Sequence, residues 1–311
     1  MPLAPSRLSR RALLGGLVSL AAATALPPLG ALAQRPEPLA REVPAIGERL
    51  PLVGLGSWIT FNVGDDPVLL EECTAVMAQF FAMGGRMIDS SPMYGSSQAT
   101  IGHGLGELDA LDRVYAADKI WTSRPGNGPA QVEASRRHWG VPRFDLLQVH
   151  NLVAWEANLT TLLEMKAAGE VRHVGITTSH GRRHDTIEHI MRDAPLDFVQ
   201  LTYNVVDREA ERRLLPLAKE KGIGVIVNRP FRQGRLTERL AGEPLPEWAA
   251  EIGAGSWAQF ILKFIISHPA VSCAIPATTR VDHVRENLAA ASAPLPDDAL
   301  RRRMADYVRA L

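Results

Sequence analysis

The strongest constraint on this chain is a rhythm of short apolar runs set between longer amphipathic stretches. Eight such runs cover residues 53–58, 86–89, 114–120, 144–149, 173–177, 198–202, 223–227 and 271–275, and most are rich in Val or Ile. Runs this short and this apolar predict parallel strands covered on both faces. Between them, apolar residues recur at helical spacing. Leu69, Val76, Phe80 and Phe81 precede Gly84, and Leu159, Leu162, Leu163 and Met165 precede Gly169. Leu214, Leu215 and Leu217 precede Gly222, and Trp257, Phe260, Ile261, Phe264 and Ile265 form a further stripe. Such stripes are core faces, and a glycine after them is a fitting stop. Eight strand–helix units predict an α/β fold, the (β/α)8 TIM barrel. Residues 42–52, with Gly47 near the middle, predict an N-terminal β-hairpin across the barrel bottom, and 297–311 an extra C-terminal helix. There is no internal repeat, and one barrel domain over 34–311 accounts for the pattern.

The first 33 residues do not join this rhythm. A basic start holding Ser9-Arg10-Arg11 leads into the uncharged stretch 12–26, then Pro27-Pro28 and Ala31-Leu32-Ala33. That order is a secretory signal peptide with the twin-arginine mark, cut after Ala33. A membrane anchor needs about 20 apolar residues, whereas this stretch is shorter and holds Gly15 and Gly16. The expectation is export to the periplasm by the twin-arginine machinery, without a stable membrane anchor.

Other partners are excluded by composition. The chain has 34 basic and 34 acidic residues and no basic block, which argues against nucleic acid. Two cysteines, Cys73 and Cys273, build neither a disulfide framework nor a cysteine zinc site, and the nine histidines show no metal-ligand spacing.

In a TIM barrel the chemistry sits where strands end. The second, third and fourth runs end in Asp89 with Tyr94, in Lys119, and in His150. Taken singly, each has an ordinary structural reading: a cap, a rim aromatic, a solvated tip, a buried ring. Together at barrel tops, a carboxylate, a phenol, an ammonium and an imidazole point to proton chemistry. Tyr115 and Lys119 also fit Tyr-x-x-x-Lys, a pair that works only on a helix, where i and i+4 meet. Here the segment is predicted strand, and the only glycine-rich turn, at Gly102-His103-Gly104-Leu105-Gly106, follows no strand.

The run Asp89-Ser90-Ser91-Pro92-Met93-Tyr94-Gly95-Ser96 resembles the aldo-keto reductase signature Asp-x-Ala-x-x-Tyr-Gly-x. The resemblance extends from about Val53 to Asn287. It implies NAD(P)H-dependent reduction of an aldehyde or ketone, with Asp89, Tyr94, Lys119 and His150 as catalytic residues and no metal. Tyr94 would give the proton, Lys119 would lower the phenol pKa, Asp89 would hold Lys119, and His150 would orient the carbonyl oxygen. Gln200 and the Thr177-Thr178 pair, which replaces the family's Ser-Asn, would bond the nicotinamide carboxamide. Asn228 stands where the family stacks a tyrosine; Arg229 would clamp pyrophosphate and Phe231 would give an apolar wall. Thr278, Arg280, Glu286 and Asn287 would grip the adenosine end, although the family's lysine and arginine are Ala277 and His283 here. NADP is the expected cofactor, with NAD as the alternative. Trp58 and Trp121 are expected in the substrate pocket. A non-catalytic, cofactor-binding redox sensor on the same barrel is the alternative function, and an unrelated phosphate-binding isomerase leaves the four strand-end residues unexplained.

Overall fold

The chain enters through an antiparallel hairpin, β1 (Ala40–Val43) and β2 (Glu48–Pro51), which turns at Gly47 with φ +65°. Eight strands follow: β3 (Leu55–Gly56), β4 (Met87–Asp89), β5 (Tyr115–Ile120), β6 (Phe144–Val149), β7 (Val171–Thr177), β8 (Phe198–Thr202), β9 (Gly224–Asn228) and β10 (Val271–Ala274). Each pairs in parallel with the next in chain order. Parallel bridges from Val53 to Ala274 and from Gly56 to Ala277 bring the first strand against the last. This is the TIM barrel expected from the rhythm. The computed structural model describes residues 38–311, so the expected signal segment 1–33 lies outside the described residues.

The first run was expected as a strand over 53–58 but holds regular pairing only at Leu55–Gly56. The closing seam explains this, because two glycines sit where backbones nearly touch. A Cβ on Gly54 would come 2.9 Å from Met87 O, and one on Gly56 would come 2.7 Å from Ile275 O. Close backbone approach of this kind admits only glycine.

Helices α1 (Pro67–Ala82), α2 (Ser97–Glu107), α3 (Gly128–Trp139), α4 (Trp155–Ala167), α5 (His184–Asp193), α6 (Leu214–Lys221), α7 (Arg235–Leu240) and α8 (Trp257–Ile266) lie between successive strands, and α9 (Val281–Ala289) follows the last. The extra C-terminal helix is α10 (Asp298–Ala310), started by Asp297, whose carboxylate accepts from Leu300 N–H. The larger core cluster holds most of the helical stripes, including Val76, Phe80, Leu162, Leu215, Phe260 and Ile265, whereas Leu69, expected in the first stripe, is exposed. Among the described residues no helix is long and apolar enough to cross a membrane.

A separate cluster holds Val43 and Leu50 from the hairpin with Met87, Tyr115, Ala117, Leu146, Phe198, Ile226 and Cys273. The hairpin thus plugs the barrel bottom. Tyr115 belongs to this lower layer, where its ring stacks over His173 at 6.4 Å, so it makes no helical pair with Lys119. Above it the interior turns polar, with Asp89, Lys119, Gln148 and Gln200 all buried.

Arg41 ties the plug to the wall. Its guanidinium donates to His268 O at 2.8 Å, to Ile266 O at 3.1 Å and to Val271 O. Arg41→Met is expected to lower stability by about 2 kcal/mol, because buried carbonyls lose a charged donor. Thermal unfolding followed by circular dichroism checks this; an unchanged midpoint contradicts it.

Candidate active site

Each of the four strand-end residues takes its place from the strand before it. Asp89 is the last residue of β4, Lys119 the penultimate residue of β5, and His150 follows β6 directly. Tyr94 sits in the loop between β4 and α2. That loop is held by Ser90 Oγ against Ser97 Oγ at 2.9 Å and by Tyr94 N–H donating to Ser91 O at 2.9 Å. Gly95 follows at φ +63° with Asn62 packed over it, a place where any side chain would collide.

Lys119 Nζ donates to Asp89 Oδ2 at 2.6 Å and to Ser90 O at 2.7 Å, with neither side chain exposed by more than 3%. A buried ammonium is costly unless paired and hydrogen-bonded. Burial pulls the Lys119 pKa down, but Asp89 and then Tyr94 more than offset it, and the net direction is upward. Lys119 therefore stays charged. Asp89 Oδ1 accepts from Gln200 Nε2 at 2.8 Å, which fixes the carboxylate from the far side of the barrel.

Lys119 Nζ lies 5.3 Å from the centre of the Tyr94 ring. Its charge was expected to lower the phenol pKa. It does oppose the shift, but desolvation is larger and pushes Tyr94 up to about 12. The phenol thus carries its proton throughout the neutral range. The rings of Tyr94 and His150 meet edge to face, 5.7 Å apart at 86°. Burial, then the Lys119 charge, takes the His150 pKa down to about 3, so its imidazole is neutral. The unfolded ring protonates near 6.5, so this histidine's share of stability is present above that pH and is lost as pH falls towards about 3. An NMR titration of His150 is expected to show no midpoint between pH 5 and 9; a midpoint near the ordinary histidine value contradicts the burial argument.

A cavity of about 640 Å³ opens over these groups. Its lining includes Trp58, Ile59, Met93, Tyr94 and His150, with Thr177, Thr178, Gln200, Asn228 and Phe231 and the cationic Arg182, Arg183 and Arg229. The structure therefore brings together Asp89, Tyr94, Lys119 and His150, and sets Trp58, Thr177, Thr178, Gln200, Asn228, Arg229 and Phe231 around them.

Several of these residues are already engaged. Thr177 Oγ1 accepts from Asn151 N–H at 2.9 Å, and Thr178 Oγ1 donates to Arg182 O at 2.6 Å. Asn228 donates to Thr178 O at 2.8 Å and accepts from Thr202 Oγ1 at 2.7 Å, bracing three strand ends. Gln200 serves Asp89, a role the sequence did not suggest.

Six expected residues do not line the cavity: Lys119, fully buried on Asp89, and Trp121, Thr278, Arg280, Glu286 and Asn287. Trp121 lies just past β5, where Gln131 clamps both its N–H and its carbonyl and leaves the ring 41% exposed. Thr278 accepts from Arg280 N–H at 3.1 Å, and Arg280 is bidentate on Asp282 at 3.0 and 2.5 Å. Glu286 and Asn287 lie on α9, with Asn287 buried.

Ile59, Ser91 and Arg182 were not singled out from the sequence. Ile59 is a β-branched residue at φ +67° that holds a largely exposed apolar side chain at the cavity mouth. Positive φ has no sequence mark when the residue is not glycine. Ser91 touches His150, as described below.

A family model described as the aldo/keto reductase family matches residues 52–304. The chain belongs to the aldo/keto reductase family. An aldo-keto reductase of Bacillus subtilis is 29% identical over 210 residues, 61% of this chain and 61% of the relative, so the match spans under two thirds of that protein. An NADH-specific methylglyoxal reductase of Escherichia coli is 25% identical over 231 residues, 62% of this chain and 68% of that one. Among solved structures, an aldo/keto reductase from Klebsiella pneumoniae in complex with NADP and acetate superposes with a TM-score of 0.71 at 22% identity, covering 84% of this chain and 93% of the other. The holo form of a Bacillus halodurans aldo-keto reductase gives 0.72 at 19% identity, covering 88% and 96%. These likenesses bear on the fold of this aldo/keto reductase.

Proposed function

We propose that this aldo/keto reductase reduces an aldehyde or ketone to an alcohol with a nicotinamide dinucleotide, with Tyr94 as the proton donor. The observation that carries the reading is the buried Asp89–Lys119 pair at 2.6 Å beneath a phenol that keeps its proton. A nicotinamide cofactor, when bound, would supply the hydride that adds to the carbonyl carbon. Negative charge then grows on the carbonyl oxygen, and Tyr94 passes its proton there. Lys119, charged and already held by Asp89, steadies the phenolate that remains. His150, neutral, donates a hydrogen bond to the same oxygen and fixes its direction.

The cavity suits a dinucleotide in its own chemistry. Its lining combines uncharged polar groups, the Phe231 ring and the guanidinium groups of Arg182, Arg183 and Arg229. Among the described residues Arg182, Arg229 and Arg235 have no carboxylate partner, and Arg229 is pushed down by burial and then by Arg235. Unpaired guanidinium groups of this kind are suited to phosphates. Arg182 and Arg229 would hold the diphosphate, with Phe231 beside the ring. NADPH is the cofactor, and Arg280 its 2′-phosphate partner, which exchanges Asp282 for the phosphate. Fluorescence titration with NADPH and NADH tests this; tighter NADH binding overturns the Arg280 assignment. Purified protein with NADPH and a panel of aldehydes, ketones and sugars should show cofactor oxidation. Cofactor binding without turnover of any carbonyl overturns the reductase reading.

Residues 1–33 are the twin-arginine signal that sends the folded chain to the periplasm. Replacing Arg10 and Arg11 by lysine should leave the protein in the cytoplasmic fraction, and unchanged export overturns this.

A further inference from the structure

Ser91 stands where the family signature carries alanine, and its hydroxyl meets the catalytic-site histidine. Oγ lies 2.7 Å from His150 Nδ1, and both residues are buried. Met93 N–H donates to the same Oγ at 3.1 Å. A hydroxyl has one hydrogen and two lone pairs. Met93 uses one lone pair, and among the described residues Nδ1 is the only group placed to take the hydrogen. Were Nδ1 protonated, two N–H groups would point at Oγ and the hydroxyl hydrogen would be buried with no acceptor, an arrangement proteins avoid. The ring, wedged against Tyr94 and facing the Lys119 charge, carries one proton rather than two. That proton then sits on Nε2.

We propose that Ser91 is a positioning residue that locks His150 in its Nε2–H tautomer, so that the ring offers the cavity a donor and never a bare lone pair. Ser91 does not line the cavity and acts only through His150. With the proton on Nδ1, Nε2 would turn a lone pair towards the carbonyl oxygen and repel the charge that grows there. The catalytic consequence rests on the reductase reading; the tautomer does not.

The tautomer is read directly by long-range proton–nitrogen NMR on the nitrogen-labelled full chain, with His150 assigned by comparison with His150→Gln. No cofactor or substrate is needed, so the result is separable from any failure to find turnover. The parent is expected to show a protonated Nε2 and an unprotonated Nδ1. Ser91→Ala is expected to shift the ring to a mixture of tautomers, and Ser91→Thr, which keeps a hydroxyl, to stay like the parent. In turnover, Ser91→Ala should lower kcat about fivefold, the bias that one net hydrogen bond supplies, with cofactor affinity unchanged. A protonated Nδ1 in the parent overturns the proposal, as does a Ser91→Ala ring with the parent's tautomer. A Ser91→Ala enzyme with a shifted tautomer and parental kcat overturns its catalytic part.

Discussion

Tyr94→Phe is expected to remove carbonyl reduction while leaving cofactor binding intact. A placed general acid contributes about 10² to 10⁴ in rate, and the variant should lose a factor in that range. Phenylalanine keeps the ring, and so keeps the edge-to-face contact with His150 and the place above Lys119. It removes only the hydroxyl. Neither neighbour can substitute for it: His150 is neutral, with its acid form reached only at about 3, and Lys119 is held charged by Asp89. Steady-state assays with an aldehyde that the parent reduces well read the loss, and a cofactor titration reads the binding. Reduction at the parental rate would mean that some other group gives the proton.

Lys119→Met should damage the fold as well as the chemistry. It leaves Asp89 buried with only the Gln200 amide as a side-chain partner. Breaking a buried pair by removing one member costs about 3–5 kcal/mol. The double variant Asp89→Leu with Lys119→Met removes both charges and should regain much of that stability, since an apolar pair of similar volume is often neutral. It should regain no activity. The signature is thus a strong coupling in the thermodynamic cycle with none in the rate. A Lys119→Met protein as stable as the parent would contradict the buried pair.

How much of this was legible beforehand follows from where the information sits in the chain. β6 and β8 fall at their expected limits because each is a short, mostly apolar run, Phe144, Leu146, Leu147 and Val149 in one and Phe198, Val199 and Leu201 in the other. The α10 cap at Asp297 was equally local. The four catalytic candidates could be read because barrel topology sends every strand end to one face. Three things were not legible. Gln200 bonds Asp89 across the barrel, 111 positions away in sequence, and no local pattern carries that contact. The sign of the Tyr94 shift depends on burial against one charge, and a sequence names the charge but not the desolvation. The adenosine-end residues were placed by resemblance alone, which carries no sign of the contact that Arg280 makes with Asp282, two positions along. Trp121 follows the same lesson: a strand-end aromatic faces the cavity only if its backbone lets it, and Gln131 holds this one outward.

The central claim is that phenol, ammonium, carboxylate and imidazole act on one carbonyl oxygen. A crystal structure of the enzyme with nicotinamide cofactor and a carbonyl inhibitor tests it most directly. The expected result has Tyr94 Oη and His150 Nε2 both within hydrogen-bond distance of the inhibitor oxygen, with Lys119 Nζ still on Asp89 and beside the Tyr94 ring. An inhibitor oxygen bound away from Tyr94, or a Lys119 turned away from that ring, would contradict it.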